Sequence, residues 1–379
     1  MRELSQSDAR HIWLRAQRLD RETPVGTGPA ATTAAVEHLG YVQIDTIHVI
    51  ERCHHQILFT RIPNYHRDHL RQAQAVDKSV FEYWTHALAY VPTRDLRYFL
   101  PAMKQHRQDR TEPWFGGVTP EERRKVLRLL RTGGPLTIQD IKDDVLVEKD
   151  HPWASRKPSK RALQMAFFEG LVTVSERRGM IKTYDLTNRH FGWESPPRPA
   201  TERQYLAYIT DRALRAQGIV SLDSICHLRP KLKPQVRSLL ESRVRRRQLV
   251  PVAVEGAAQV EHWATAQTLD EATPPSEPLV RILSPFDPLI ILRKRLKLIF
   301  DYDHLFEAYV PKDKRVYGYF TQPVLVGDEI VAALDLKTDR DKGSLLVQQW
   351  NWVGRGNKAE HQSVIDQELD RFERFQLAT

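Results

Sequence analysis

The sequence predicts a mainly α fold with β-wings, of the α+β class: tandem winged-helix domains followed by a small C-terminal β-barrel. Two stretches between residues 116 and 270 repeat one order of signals: a capped amphipathic helix, a break, further helix, then two short strands around a tip containing glycine. The first 45 residues carry helix, turn, helix and strand, half of that order, and beyond residue 280 helical periodicity gives way to short alternating segments. At 379 residues the chain exceeds the roughly 250–300 over which one hydrophobic core keeps growing, so several modules are expected. They are placed at residues 1–115, 116–196, 197–270 and 271–379.

In chain order, residues 5–20 place Ile12, Leu14, Ala16 and Leu19 at helical spacing, with Ser5 or Ser7 as N-cap, and Gly26, Gly28 and Pro29 break that helix. A second helix over about residues 30–39 stops at Gly40, where glycine accepts a left-handed C-cap conformation, and the strand Gln43-Ile44-Asp45 follows. Residues 48–62 and 65–76 read as helical, and residues 81–86 as an aromatic strand leading to Val91-Pro92. Thr119-Pro120-Glu121-Glu122 is an N-cap, a proline at the first helical position and two first-turn acids; Gly133-Gly134 ends the helix they start. A short helix from Leu136-Thr137-Ile138, a third over residues 159–170, and strands 171–174 and 180–186 around Arg177-Arg178-Gly179 complete a winged helix with a basic tip. The second copy runs through residues 201–216, Ser221 to Ile225, a basic helix over about residues 233–247, and strands 249–254 and 259–264 around Glu255-Gly256. Pro274-Pro275 and Pro278 mark a linker, after which Gly327-Asp328 and Asp341-Lys342-Gly343 punctuate the strands of the expected barrel, and a helix starts near Lys358.

Lys and Arg number 57 against 48 acids, a formal net charge of +9, which attracts polyanions: nucleic acid first, acidic protein surfaces second. Cys53 and Cys226 are the only cysteines, which fits a reducing compartment and excludes a disulfide framework and a thiolate zinc site. No stretch approaches the roughly 18 apolar residues of a membrane span, and Met1-Arg2-Glu3-Leu4 lacks the apolar segment of a signal peptide, so a cytoplasmic protein with no membrane partner is expected. Gly26-Thr27-Gly28 matches neither a Rossmann nor a P-loop pattern. Cys53-His54-His55 and Asp301-Tyr302-Asp303 lack the further ligands a metal centre needs, so no metal, nucleotide or other cofactor is expected.

Gln43 and Asp45 are the candidate catalytic residues. In a strand the side-chain period of two puts this amide and carboxylate on one face, where both reach one atom. The bland alternative is a polar outer face of an edge strand. Tyr83, Trp84 and His86, in Glu82-Tyr83-Trp84-Thr85-His86, offer rings to hold a base, with core packing as the competing role for Trp84. Arg177 and Arg178 at the wing tip, and Lys231, Lys233, Arg237, Arg243, Arg245, Arg246 and Arg247 around the basic helix, are candidate phosphate contacts or else a solvated basic face.

Several blocks carry a family resemblance: Gln43-Ile44-Asp45-Thr46-Ile47, Leu58-Phe59-Thr60-Arg61, Asn64-Tyr65, Glu82-Tyr83-Trp84-Thr85-His86, Ser284-Pro285-Phe286-Asp287-Pro288-Leu289-Ile290 and Arg315-Val316-Tyr317-Gly318-Tyr319. Spread over nearly the whole chain, they resemble the bacterial winged-helix DNA glycosylases of the YcaQ type, relatives of the crosslink-resistance glycosylases of antibiotic producers. The resemblance implies tandem winged helices and a barrel around a DNA channel, excision of N7-alkylated purines and unhooking of interstrand crosslinks, and a catalytic signature of glutamine, apolar residue, then glutamine or aspartate. Gln43, Ile44 and Asp45 match its aspartate version. The expectation is a monofunctional DNA repair glycosylase, cytoplasmic and nucleoid-associated, acting on double-stranded DNA with alkylated purines or crosslinks. A cationic leaving base needs little acid assistance, so the carboxylate serves the oxocarbenium-like sugar or the water, and the amide holds that water. A winged-helix transcription regulator is the alternative reading, and a protein-interaction module using the basic face a third.

Overall fold

The computed structural model describes residues 2–108, 118–142, 146–149, 155–271 and 279–378. The chain forms two compact units, Met1–Arg67 with Leu206–Thr379, and Asp68–Tyr205. It is a mixed fold in which helix predominates and the sheets are small.

In the first unit, Ser5 and Asp8 close a reciprocal capping box that starts the helix Gln6–Ala16. Its apolar face, Ile12, Trp13 and Leu14, enters a core built largely from the far end of the sequence, including Leu283, Leu289, Leu296, Ile299 and Leu325. Just before that helix, strand Arg2–Leu4 pairs in parallel with Val250–Val254, which pairs antiparallel with His262–Ala264. No local signal in the sequence announced Arg2–Leu4 as a strand, because its partner lies some 250 residues away. Helix Gly28–Leu39 ends at Gly40 with φ 78°, the expected left-handed cap; a Cβ there would lie 2.3 Å from the Arg212 side chain.

Three local expectations for this region shift. The strand after Gly40 is only Val42–Gln43, so Asp45 lies beyond it in irregular backbone and the strand period does not align the pair. Of residues 48–62 only Cys53–Phe59 is helical. Residues 65–76 become the helix Arg67–Arg71 and a π-helical turn, Gln72–Val76.

Among the described residues the expected C-terminal barrel does not form. Strands Val280–Ile282, Thr321–Val326, Glu329–Asp339 and Ser344–Trp352 form an antiparallel sheet in that order, and it stays open. Four strands cannot curl far enough to bring their edges together, and one edge has only three residues. Helix Lys358–Leu377 packs on the sheet, capped by Asn357 on the Glu360 amide. The linker prolines Pro274, Pro275 and Pro278 lie outside the described residues.

In the second unit a hairpin pairs Val80–Trp84 with Leu88–Pro92. Thr119 and Glu122 form the capping box of helix Pro120–Gly133, and Thr137 caps a short 3-10 turn, Ile138–Asp140. Helix Pro158–Phe168 then leads into the hairpin Val172–Arg178 and Ile181–Leu186, whose turn uses Gly179 at φ 57°. Leu136–Thr137 adds the third strand, beside Ile181–Leu186. The first unit contains a comparable succession: helix Glu202–Gln217, short helix Leu222–Ile225 capped by Ser221, basic helix Lys233–Arg245, then Val250–Val254 and His262–Ala264.

Candidate active site

Gln43 is buried at the end of its short strand, and Ile44 beside it is buried too. Asp45 is half-buried, with one carboxylate oxygen accepting the amide of Ile47 at 2.8 Å. That bond folds the segment back two residues on and leaves the rest of the carboxylate without a salt-bridge partner among the described residues. Burial raises the Asp45 carboxyl above its usual range, and the N–H groups of Ile47 and Thr46 offset part of the rise.

The segment is pinned by Cys53, a residue whose sequence context offers no metal site. Cys53, first residue of the helix Cys53–Phe59, is fully buried, and its Sγ donates to the Gln43 carbonyl at 3.2 Å. Burial, and then the charge on Asp45, push the thiol well above its ordinary range, so it is a neutral hydrogen-bond donor rather than a nucleophile. Following it, His55 bonds the Tyr65 hydroxyl at 2.8 Å, and burial lowers it to about 4, so it is uncharged at neutral pH. Glu51 accepts from Arg67 Nε at 2.6 Å, and its amide donates to Gln376 Oε1 at 2.6 Å, tying this region to the last helix. Among the described residues no three or more His, Cys, Asp or Glu side chains are grouped to hold a metal ion.

The expected aromatic trio lies in the second unit and splits. Tyr83 is buried, its hydroxyl donating to the Phe168 carbonyl at 2.8 Å, so it is packed rather than available for stacking. Trp84 is 48% exposed, which speaks against the competing core-packing role: the hairpin strand ends at this residue, with the ring half in solvent and 6.0 Å from Phe168. His86 is half-buried, with Nδ1 3.3 Å from the Thr85 hydroxyl.

The wing arginines also separate. Arg177 is buried, and its guanidinium grips Glu82 with Nε–Oε1 2.8 Å and Nη2–Oε2 2.5 Å. It is therefore committed to an internal ion pair and cannot serve as a surface phosphate contact. Burial opposes ionisation of Glu82, but Arg177 outweighs it and holds the carboxyl below its usual range. Lys182, 3.9 Å from Glu82, is lowered to about 8 by burial, against that carboxylate's pull. Arg178 stays at the surface, its side chain 79% exposed, and pairs with Glu176 at 3.2 Å, a partner that is itself partly exposed and that a phosphate could displace.

Along the basic helix the cations divide similarly. Lys233 pairs with Asp223, Arg237 with Glu261 at 2.7 Å, and Arg243 with Asp211. Lys231, Arg245, Arg246 and Arg247 are exposed and have no acidic partner among the described residues. The free cations therefore gather before the helix and at its C-terminal end, where helix Lys233–Arg245 runs out into the strand Val250–Val254.

The segment thus holds a carboxylate with no ion pair among the described residues, fixed by backbone beside a buried amide, in a chain of net charge +9. The family model described as DNA glycosylase AlkZ-like matches residues 36–375, and the protein belongs to that family of DNA glycosylases. Among solved structures it is similar to Streptomyces sahachiroi DNA glycosylase AlkZ, with TM-score 0.64 and 18% sequence identity over 99% of this chain and 97% of that one, a likeness of fold. Family membership supports a DNA repair glycosylase, a hydrolase of N-glycosyl bonds.

Proposed function

We propose that the protein releases N7-alkylated purines from double-stranded DNA and unhooks interstrand crosslinks made through such bases. The observation that carries this reading is Asp45, a carboxylate with no ion pair among the described residues, held by the Ile47 amide next to buried Gln43. Alkylation at N7 makes the purine a cationic leaving group, so the bond from C1′ to N9 breaks with its electron pair going to the base. The developing positive charge on the sugar is stabilised by Asp45, and water adds to C1′ as Asp45 takes its proton. Gln43 orients that water or the sugar through its amide. The products are the free base and an abasic site, and no Schiff base is formed, which makes the enzyme monofunctional.

Residues 116–196 and 197–270 act as winged helices, a reading supported by the helix, helix and hairpin succession in each; residues 1–115 carry the catalytic motif, and residues 271–379 complete the protein. Lys231, Arg178, Arg245, Arg246 and Arg247 contact phosphates, with Trp84 as the exposed ring and His86 near it in sequence. Among the described residues no helix is long and apolar enough to cross a membrane; a DNA substrate supports the reading of a cytoplasmic, nucleoid-associated enzyme.

The test is release of 7-methylguanine from methylated duplex DNA by wild type, Gln43→Ala and Asp45→Asn. Loss in both variants with duplex binding retained is the expected result. Equal release by all three removes the assignment, and tight binding to one operator sequence without base release favours a regulator instead.

A further inference from the structure

Leu228 is 70% exposed and sits at φ 56°, in the turn between the short helix Leu222–Ile225 and the basic helix Lys233–Arg245. A bulky side chain at positive φ costs roughly 1–2 kcal/mol, which glycine would avoid. Nothing in core packing offsets that cost, since most of the leucine faces water. The other non-glycine residues with positive φ among those described are Arg18, Asn64, Lys78, Arg247 and Asp301, all polar. The turn is nevertheless well formed, with the Arg229 amide donating to the Cys226 carbonyl at 2.8 Å. A strained, exposed, apolar residue on a formed turn points to use outside the fold.

Its surroundings indicate the occupant. Burial lowers the pKa of the neighbouring His227, with the positive charge of Arg293 a second cause. The Arg293 guanidinium lies 6.0 Å from the Phe306 ring centre, and Phe306 lies 6.0 Å from Tyr309, which is 75% exposed. The loop beyond Tyr309 presents Val316, 56% exposed, and the exposed cations Lys312 and Lys314 with Asp313 between them. That loop is held from behind. Glu307 accepts the amides of Val316 and Tyr317 at 2.7 Å each, and Asp335 accepts those of Tyr319 and Phe320. Gly318 at φ 126° leaves no room for a Cβ, which would lie 2.4 Å from Asp335 Oδ2. Each turn thus offers an apolar tip with exposed cations close by in sequence, Leu228 with Lys231 and Tyr309 with Lys312 and Lys314, and Arg293 is exposed as well. Phosphates suit the cations, and an opened base stack suits the tips.

We infer that Leu228 is a wedge that enters the base stack of duplex DNA, with Tyr309 making a second apolar contact and the flanking cations on phosphates. This rests on the glycosylase reading for its purpose, which is to hold the duplex open while a nucleotide is presented to Asp45. Leu228 is a positioning residue.

The experiment uses the full chain and a duplex with 2-aminopurine next to a tetrahydrofuran abasic analogue, alongside single-turnover release of 7-methylguanine. Leu228→Gly relieves the backbone strain, so this variant melts no lower than wild type and its effects are not those of misfolding. The expected result is loss of the 2-aminopurine fluorescence rise and base release slower by about tenfold or more, with duplex Kd within about threefold of wild type. Leu228→Met keeps the signal. Lys312→Ala and Lys314→Ala show the reverse pattern, weaker binding with a salt slope smaller by about one each. Unchanged fluorescence and rate in Leu228→Gly overturns the wedge and leaves the glycosylase reading intact. Loss of duplex binding equal to the loss of rate also overturns it, making Leu228 an affinity anchor only. A Leu228-dependent fluorescence rise in a wild-type protein that releases no base refutes the glycosylase reading instead.

Discussion

Arg61 and Asp287 form a bidentate ion pair at 2.7 and 2.9 Å with both side chains fully buried, 226 residues apart in sequence. Arg61 stands just after the helix Cys53–Phe59, whose first residue bonds the Gln43 carbonyl, and it also donates to the carbonyls of Gln17 and Ile57. Asp287 caps its own turn by accepting the Leu289 amide at 3.0 Å. The pair locks the helix that holds the Gln43 segment to the C-terminal part of the unit.

Breaking one member of such a pair strands the other charge in the interior. Asp287→Asn should lower stability by about 3–5 kcal/mol, whereas Arg61→Met with Asp287→Leu should cost less than the single change. Urea denaturation of the three variants checks this, and a double variant worse than Asp287→Asn contradicts it.

Asp45→Asn should reduce base release by roughly 10²–10³ while leaving duplex affinity near wild type. In the proposed mechanism Asp45 acts ionised, and its folded pKa is raised, so activity should fall with acid at a pH above the ordinary 3.8 of an aspartate. The same shift has a stability consequence. The folded state holds this proton more tightly than the unfolded chain, so above the folded pKa the ionised carboxylate destabilises the fold, and Asp45→Asn should melt slightly higher at neutral pH. A variant both inactive and clearly less stable would argue for a structural role.

Arg295 is buried over the Trp13 ring at 4.4 Å, and its Nε, Nη1 and Nη2 have no hydrogen-bond partner among the described residues. Burial lowers its pKa to about 9, so it is still charged at neutral pH. Arg295→Met keeps the length and removes the desolvated charge, and it should raise stability by about 1–4 kcal/mol. A drop in the denaturation midpoint would mean that the stacking on Trp13 outweighs the desolvation.

His262 and His304 are buried, and burial lowers them to about 4 and about 3. In the unfolded chain each protonates near 6.5, so the stability they contribute is complete above that pH and is lost as pH falls toward 4 and below. The loss should reach on the order of 3 kcal/mol for each residue. Melting temperature against pH in wild type, His262→Gln and His304→Gln measures it, the variants showing a shallower acid slope.

The proposed catalytic pair was legible as a candidate because Gln43-Ile44-Asp45 is a short contiguous motif, and the capped helices were legible because Ser5 with Asp8 and Thr119 with Glu122 are local chemistry. Side-chain destinations were not. Arg177 and Arg178 are identical as sequence, yet one is buried on Glu82 and the other stands in water, a choice made by a hairpin that points adjacent residues to opposite faces. Trp84 faces out and Tyr83 in for the same reason.

Composition, charge and capping motifs therefore set by themselves the class of partner and the helical framework, since each depends on residue type or on neighbours a few positions away. Tertiary structure alone decided that the C-terminal sheet stays open, that Arg2–Leu4 joins Val250–Val254, that Arg61 is neutralised by Asp287, and that Cys53 steadies Gln43. Those outcomes depend on which groups lose water together when distant segments meet, and that desolvation balance is a property of the packed chain that no local window of sequence contains.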